Sequence, residues 1–201
     1  MQTKKCVIVG LQPFTAQVLS SFLDGKSCEE MYPPGFNFSC LQSEYYKKRQ
    51  LDDGQEVMLH IFSINPDSFF DQERTKCYTG TDVFIVHFQV NNPSSLDLAI
   101  TKIVPEIRQC CPNVPILFLG TMSDRRNDVE QEFLRKKCGR GCITKEEGEK
   151  KAEEIGAFDY LECSAFLYEG VKEVFDAVFV CVSRKNDNES AANPKDKCVI
   201  C

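Results

Sequence analysis

Apolar residues fall along this chain in two kinds of run, and their alternation predicts the architecture. The first kind is short, dense and rich in β-branched or aromatic residues: KKCVIVG at 4–10, VFIVHFQV at 83–90, VPILFLG at 114–120 and FDYLEC at 158–163. Runs of this length read as strands, and the most continuous of them as strands covered on both faces, as in a parallel sheet between helical layers. The second kind recurs at helical spacing. Phe14, Val18 and Phe22 lie four apart ahead of a stop at Gly25; Leu96, Leu98, Ile100, Ile103, Val104 and Ile107 follow Pro93, Ser94 and Ser95; Val171, Val174, Phe175, Val178 and Val182 line one side of 170–184. Each predicts an amphipathic helix with one buried face.

The intervening segments complete the pattern. Residues 36–46 and 56–65, joined across Asp52, Asp53 and Gly54, predict a hairpin. Thr144 to Glu147 has the capping-box form and opens a helix running to about Ile155, with Gly156 behind it. The stretch 26–35, with Pro33, Pro34 and Gly35, is a loop; 67–79 is polar with scattered aromatics, an irregular or loosely helical surface segment or a partner-binding face. The charge-dense stretch 123–137 reads as a short exposed helix or a solvated loop, and from Lys185 the composition turns to that of a disordered tail. One hairpin followed by alternating strands and helices predicts an α/β fold: a six-stranded, mostly parallel sheet flanked by helices over 1–184, with a flexible tail over 185–201. Ligands of such sheets bind beyond the carboxyl ends of the strands, here at Gly10, Asn65, 90–92, 120–124 and 163–165.

Composition narrows the function classes. At 201 residues and 42% apolar content the chain suits one domain with a full core. A net charge of −6 and the lack of any clustered basic stripe argue against a nucleic-acid partner. No window approaches the roughly 18 uninterrupted apolar residues of a membrane span, so the expected location is the cytosol or its membranes. Of the twelve cysteines, Cys6, Cys40, Cys163 and Cys181 sit in apolar runs and read as small hydrophobes. Cys138 and Cys142 have metal-like spacing without a second pair to complete a site, and His60 and His87 lie in strand-like runs where a core or sheet-face role is expected.

The candidate chemistry begins at 4–24, a strand that ends at Gly10 and passes through a short loop into a helix. A phosphate-binding loop of the form G-x-x-x-x-G-K-[ST] uses its glycines to aim backbone N–H groups at phosphates, its lysine to neutralise them and its hydroxyl to hold magnesium. Here Gly10 fills the first position, and Thr15, Ala16 and Gln17 fill the other three.

KKCVIVG resembles the first strand of the Rho family of small GTPases, in the Ras superfamily; TDVFIVHF resembles its fourth, CPNVPILFLGT its fifth, and IGAFDYLECSA its last strand and guanine loop. The charged stretch 125–137 takes the place of the helix that distinguishes Rho proteins from other Ras relatives. The resemblance spans essentially the whole chain and implies the P-loop NTPase-like small-GTPase fold with a Rho-type insert helix.

The motifs divide into two halves. TMSD at 121–124 matches the family's guanine motif at Thr121 and Asp124, with Met122 in the lysine's place, and Ser164-Ala165 matches its S-A motif. The resemblance implies that Asp124 accepts from the guanine ring N–H and amino group, and that the Ala165 backbone faces the guanine carbonyl. The phosphate half departs. Gly35 aligns with the switch threonine that binds magnesium, and Ser63, Ile64, Asn65, Pro66 and Asp67 align with D-x-x-G-Q. Pro66 has no N–H to offer a γ-phosphate. The cofactor expectation is therefore weak guanine nucleotide at most, read through Gly10, Thr121, Asp124, Ser164 and Ala165, without retained magnesium and without catalytic residues.

The functional expectation is a Rho-like signalling and interaction protein acting as a pseudo-GTPase; the alternative is a divergent GTPase that binds guanine nucleotide and hydrolyses GTP slowly. Protein partners of the kind that regulate Rho proteins or act as their effectors are expected at Tyr32 to Asn37 and Asp67 to Thr79. Cys198-Val199-Ile200-Cys201 has the C-a-a-X form, which implies prenylation of Cys198 and a peripheral place on the cytoplasmic membrane face, although Cys201 lies outside the usual final residues.

Overall fold

The computed structural model describes residues 2–11, 18, 21–26, 44–51, 54–64, 71–127 and 141–189. Thr15, Ala16, Gln17, Gly35, Asn65, Pro66, Asp67, the surface Tyr32 to Asn37, most of the expected insert helix, Cys138 and Cys198 lie outside the described residues.

Six strands form one sheet in the order β2-β3-β1-β4-β5-β6. They are β1 (Gln2–Val9), β2 (Glu44–Gln50), β3 (Glu56–Ile64), β4 (Val83–Gln89), β5 (Ile116–Thr121) and β6 (Asp159–Cys163). Only β2 runs antiparallel, pairing Tyr46 with His60 and Gln50 with Glu56. The hairpin is therefore present, with its first strand running on to Gln50, past the expected end at Tyr46, while 36–43 lie outside the described residues. The extension has a physical cause: β2 is an edge strand whose last residues include half-buried Lys47 and exposed Lys48 and Arg49, and charges on an edge carry no apolar signature. By contrast, all of β4 and β5 is buried.

Helices cover both faces. On one, Cys6, Ile8, Leu59, Ile61, Ile85, Leu117 and Leu119 meet Val171, Val174, Phe175, Val178 and Val182, together with Val18 from the helix that follows β1. Phe22 stacks on Phe175 with ring centroids 3.6 Å apart. On the other face, Val7, Val9, Phe84, Val86, Phe88, Ile116 and Phe118 meet Leu96, Ala99, Ile103 and Ile107. The alternation of Cys6 and Ile8 with Val7 and Val9 between two cores is the period-two geometry of a strand buried on both sides.

Besides the helix that follows β1, the α-helices among the described residues are α1 (Asp71–Lys76), α2 (Pro93–Leu98), α3 (Val104–Cys110), α4 (Lys145–Glu154) and α5 (Val171–Glu189). A π-helical turn, Ala99–Ile103, joins α2 to α3. It lies just before Pro105, whose ring excludes the carbonyl four residues back and so forces the wider turn. The expected capping box opens α4: Thr144 accepts from the Glu147 N–H at 3.2 Å while Glu147 accepts from the Thr144 N–H at 2.8 Å. The last helix extends to Glu189, beyond the expected end at Arg184. No described helix is long and apolar enough to cross a membrane.

The segment 67–79 is less superficial than its polarity predicts, because Arg74 is 1% and Tyr78 0% exposed. Arg74 is paired with the Glu106 carboxylate through Nε at 2.9 Å and through Nη2, and the Tyr78 hydroxyl donates to Glu106 at 2.8 Å. Lys5 also donates to the carbonyls of Cys77 and Thr79, at 2.7 and 2.8 Å. The described part of this segment is thus fastened to α3 and β1, with Thr75 half-buried and Lys76, Cys77 and Thr79 exposed.

Candidate functional site

Parallel pairing brings the two guanine motifs together. Thr121 registers with Cys163, so 121–124 leaves the sheet beside 164–165. Thr121 is 2% exposed and its hydroxyl donates to the Phe88 carbonyl at 2.9 Å, which fixes the end of β5 to β4. Asp124 lies in the 3-10 turn Ser123–Asn127. Its side chain is 13% exposed, with Arg125 Nε 3.5 Å from one oxygen. Its charge is felt by the buried Cys163 thiol, which burial above all, then Asp124 and Glu162, push up to about 12.

The second motif is equally fixed. Ser164 and Glu169 exchange two backbone hydrogen bonds, of 2.9 and 3.0 Å, and the Ser164 hydroxyl accepts from the Leu167 N–H at 3.1 Å. The Ala165 carbonyl accepts from the buried Ser21 hydroxyl at 3.1 Å, tying the loop to the helix that follows β1. Met122 and Tyr168 are the non-glycine residues with positive φ among those described, both at 61°. They flank the two halves of this end. Such backbone is costly and persists only where surrounding contacts over-determine it.

Gly10 follows β1, and its N–H donates to the Ile64 carbonyl at 3.2 Å. Its neighbour is unusual for a phosphate loop. A β-carbon built on Gly10 would stand 2.1 Å from Cδ2 and Nε2 of His87. His87 is 3% exposed, and burial pushes its imidazole down to about 4, so the ring against the loop is neutral at pH 7. Ser63 is 7% exposed near the end of β3, registered with Ile8, and offers a hydroxyl where the metal-directed carboxylate of the family would stand. His87 thus takes the expected core role, and His60 the sheet-face role, stacked on Tyr46 with centroids 4.2 Å apart and 2.6 Å from Glu44.

The described residues bear on the base end of a nucleotide more than on its phosphate end, since 12–17 and 65–67 lie outside them. A guanine ring suits the base end, which holds a carboxylate and a fixed backbone edge side by side. The described phosphate end supplies neither a cation nor a carboxylate, and no group of three or more His, Cys, Asp or Glu side chains able to hold a metal occurs among the described residues.

Two polar clusters escape a sequence reading: Arg74-Tyr78-Glu106, and Arg126-Tyr160-Glu162 around the base end. Arg126 is hidden in a charged run. Glu162, however, stands between Leu161 and Cys163 in a short apolar strand, and a lone acid there signals a buried partner.

A Ras family model matches residues 15–184 of the chain. The Rho-related GTP-binding protein RhoV is 35% identical over 193 residues in Mus musculus, in Homo sapiens and in Rattus norvegicus, covering 95% of this chain and 79% of each relative. Ras-family GTPases bind guanine nucleotide and normally use magnesium, so the expected absence of magnesium draws no support from these comparisons and rests on residues alone.

Proposed function

We propose that this chain, which belongs to the Ras family of small GTPases and within it to the Rho-related proteins, is a signalling and interaction module that reads guanine weakly and is not switched by a third phosphate. The observation that carries the reading is that the side chain seated against Gly10, His87, is buried and neutral and so brings to the loop no positive charge that could stand in for a lysine. The sequence adds Ala16 in place of the lysine and Pro66 in place of a phosphate-facing N–H. A charge-assisted hydrogen bond is worth roughly 1.5 to 3 kcal/mol, so two such losses remove about 3 to 6 kcal/mol, or about two to four decades of affinity.

The buried contact of Arg74 with Glu106 supports the same reading from the other side. It fastens α1, part of the segment aligned with a nucleotide-sensing switch, to α3 through a carboxylate that also accepts from Tyr78. Partners of the regulator or effector kind would then meet, among the described residues, a fastened surface at 75–79, with Tyr32 to Asn37 as the second expected contact. A prenyl group on Cys198 would bring that surface to the cytoplasmic membrane face.

A second reading, slow GTP hydrolysis by a divergent enzyme, is favoured by the retained Asp124 and Ser164-Ala165 of the base end. Nucleotide content separates the two. Protein purified without added nucleotide and denatured for chromatography should release no stoichiometric GDP or GTP under the first reading; a full equivalent supports the second.

A further inference from the structure

Arg126 lies two residues after Asp124 in the same 3-10 turn, and its guanidinium is held at three points. Nε donates to the Ile143 carbonyl at 3.1 Å, Nη1 to one Glu162 oxygen at 2.8 Å and Nη2 to the other at 2.5 Å. The Tyr160 hydroxyl donates to the same carboxylate at 2.6 Å. The Arg126 and Glu162 side chains are 25% and 13% exposed. Burial alone would raise the Glu162 carboxyl, yet the Arg126 and Tyr160 hydrogen bonds hold it below its ordinary value. Small residues make room for the cluster: a β-carbon on Gly148 would stand 2.2 Å from the Tyr160 hydroxyl, and one on Gly120 2.8 Å.

Three elements meet here. The turn carrying Asp124 is joined to β6 through Glu162, and to the approach of α4 through Ile143, whose N–H donates to the Val90 carbonyl at 2.7 Å. Asp124 has no comparable restraint from Arg125, which lies 3.5 Å away with a side chain 47% exposed. The turn begins after Met122 at φ 61°, a conformation that needs outside contacts to hold it. A bidentate arginine–carboxylate pair supplies direction as well as charge, which a monodentate lysine does not.

We infer that Arg126 is a positioning residue: its two-point pairing with Glu162 fixes the turn that carries Asp124, and so sets the preference of the base end for guanine over a purine lacking the 2-amino group. The inference rests on the proposed base reading, since Asp124 discriminates only if a base is bound. Misplacement of a recognition group by about 1 Å costs up to roughly a hundredfold, so loss of the pairing should lower the guanosine-to-inosine affinity ratio by about tenfold or more.

The test uses full-length Arg126→Met, the double variant Arg126→Met/Glu162→Met, which leaves no unpaired buried charge, and Val178→Ala as a control for general destabilisation. Amide hydrogen exchange over 122–127 and calorimetry with guanosine and inosine are read on each. Exchange at 122–127 at least tenfold faster in both Arg126 variants but not in the control, with the guanosine preference falling toward parity, is the expected result. Unchanged exchange there in the double variant overturns the inference whatever the nucleosides do. An equal fall of the ratio in Val178→Ala overturns it as well, because the effect would then be mere loss of stability. Wild-type protein that binds neither nucleoside overturns the base reading and the selectivity claim with it, while exchange still reports on the clamp itself.

Discussion

The ring of His87 lies so close to Gly10 that any side chain at the glycine would enter it, a β-carbon falling 2.1 Å from two ring atoms. In a working phosphate loop the first glycine is needed for the close approach of backbone to phosphate; here an imidazole explains it fully. Gly10→Ala should therefore destabilise the fold by roughly 1 to 3 kcal/mol, the usual range for overpacking. His87→Ala in the same chain should recover much of that loss. A double-mutant cycle by urea unfolding reads the coupling, and additive effects would show that the contact is not what fixes the glycine.

The same histidine predicts a pH dependence. Its folded value, about 4, lies below the usual 6.5 because burial disfavours the charged ring. Between those values the unfolded chain binds more protons than the folded one, so stability rises with pH through the window and is lost as pH falls from 6.5 toward 4. The difference of about 2.5 units corresponds to about 3 kcal/mol. Unfolding at pH 7 and pH 4 should show the wild type losing about that much more than His87→Asn, and parallel losses would count against the assignment.

The buried Arg74-Glu106 pair makes a third prediction. With Arg74 1% exposed, Glu106→Leu strands a guanidinium inside the protein and should cost about 3 to 5 kcal/mol. Replacing both members, as Arg74→Met with Glu106→Leu, should restore most of the stability. Denaturant midpoints of the four proteins decide between a pair that matters as a pair and one whose members act independently.

Membrane attachment is tested at the other end of the chain. Between Arg184 and Lys197 four basic residues (Arg184, Lys185, Lys195, Lys197) oppose three acidic ones (Asp187, Glu189, Asp196), a balance of +1. At about 1 kcal/mol per basic residue near an anionic surface this adds little to one lipid chain. Cys198→Ser should move the protein into the soluble fraction of a prenylating cell, and an unchanged membrane share would remove the lipid from the account.

Much of the fold is legible in the sequence, because β4, β5 and α5 carry apolar residues at the period of their element and both sheet faces are covered. The nearness of Asp124 to the Ser164-Ala165 pair is legible too, since both lie at strand ends whose order is set by the parallel topology. What escapes a sequence reading is polar and long-range. Arg74 meets Glu106, and Arg126 meets Glu162, across 32 and 36 residues, and a lone charge in a linear sequence does not name its partner. The end of the edge strand β2, at Gln50 rather than Tyr46, is missed for a related reason: its register comes from hydrogen bonds to β3, and its side chains are largely charged.

The central claim, a guanine-reading end without a phosphate-driven switch, is tested most directly by calorimetry with GTP, GDP and guanosine, each with and without magnesium. The account predicts weak affinities that agree among the three ligands within about tenfold and do not respond to magnesium. Nanomolar, magnesium-dependent binding of GTP, with guanosine far weaker, would contradict it.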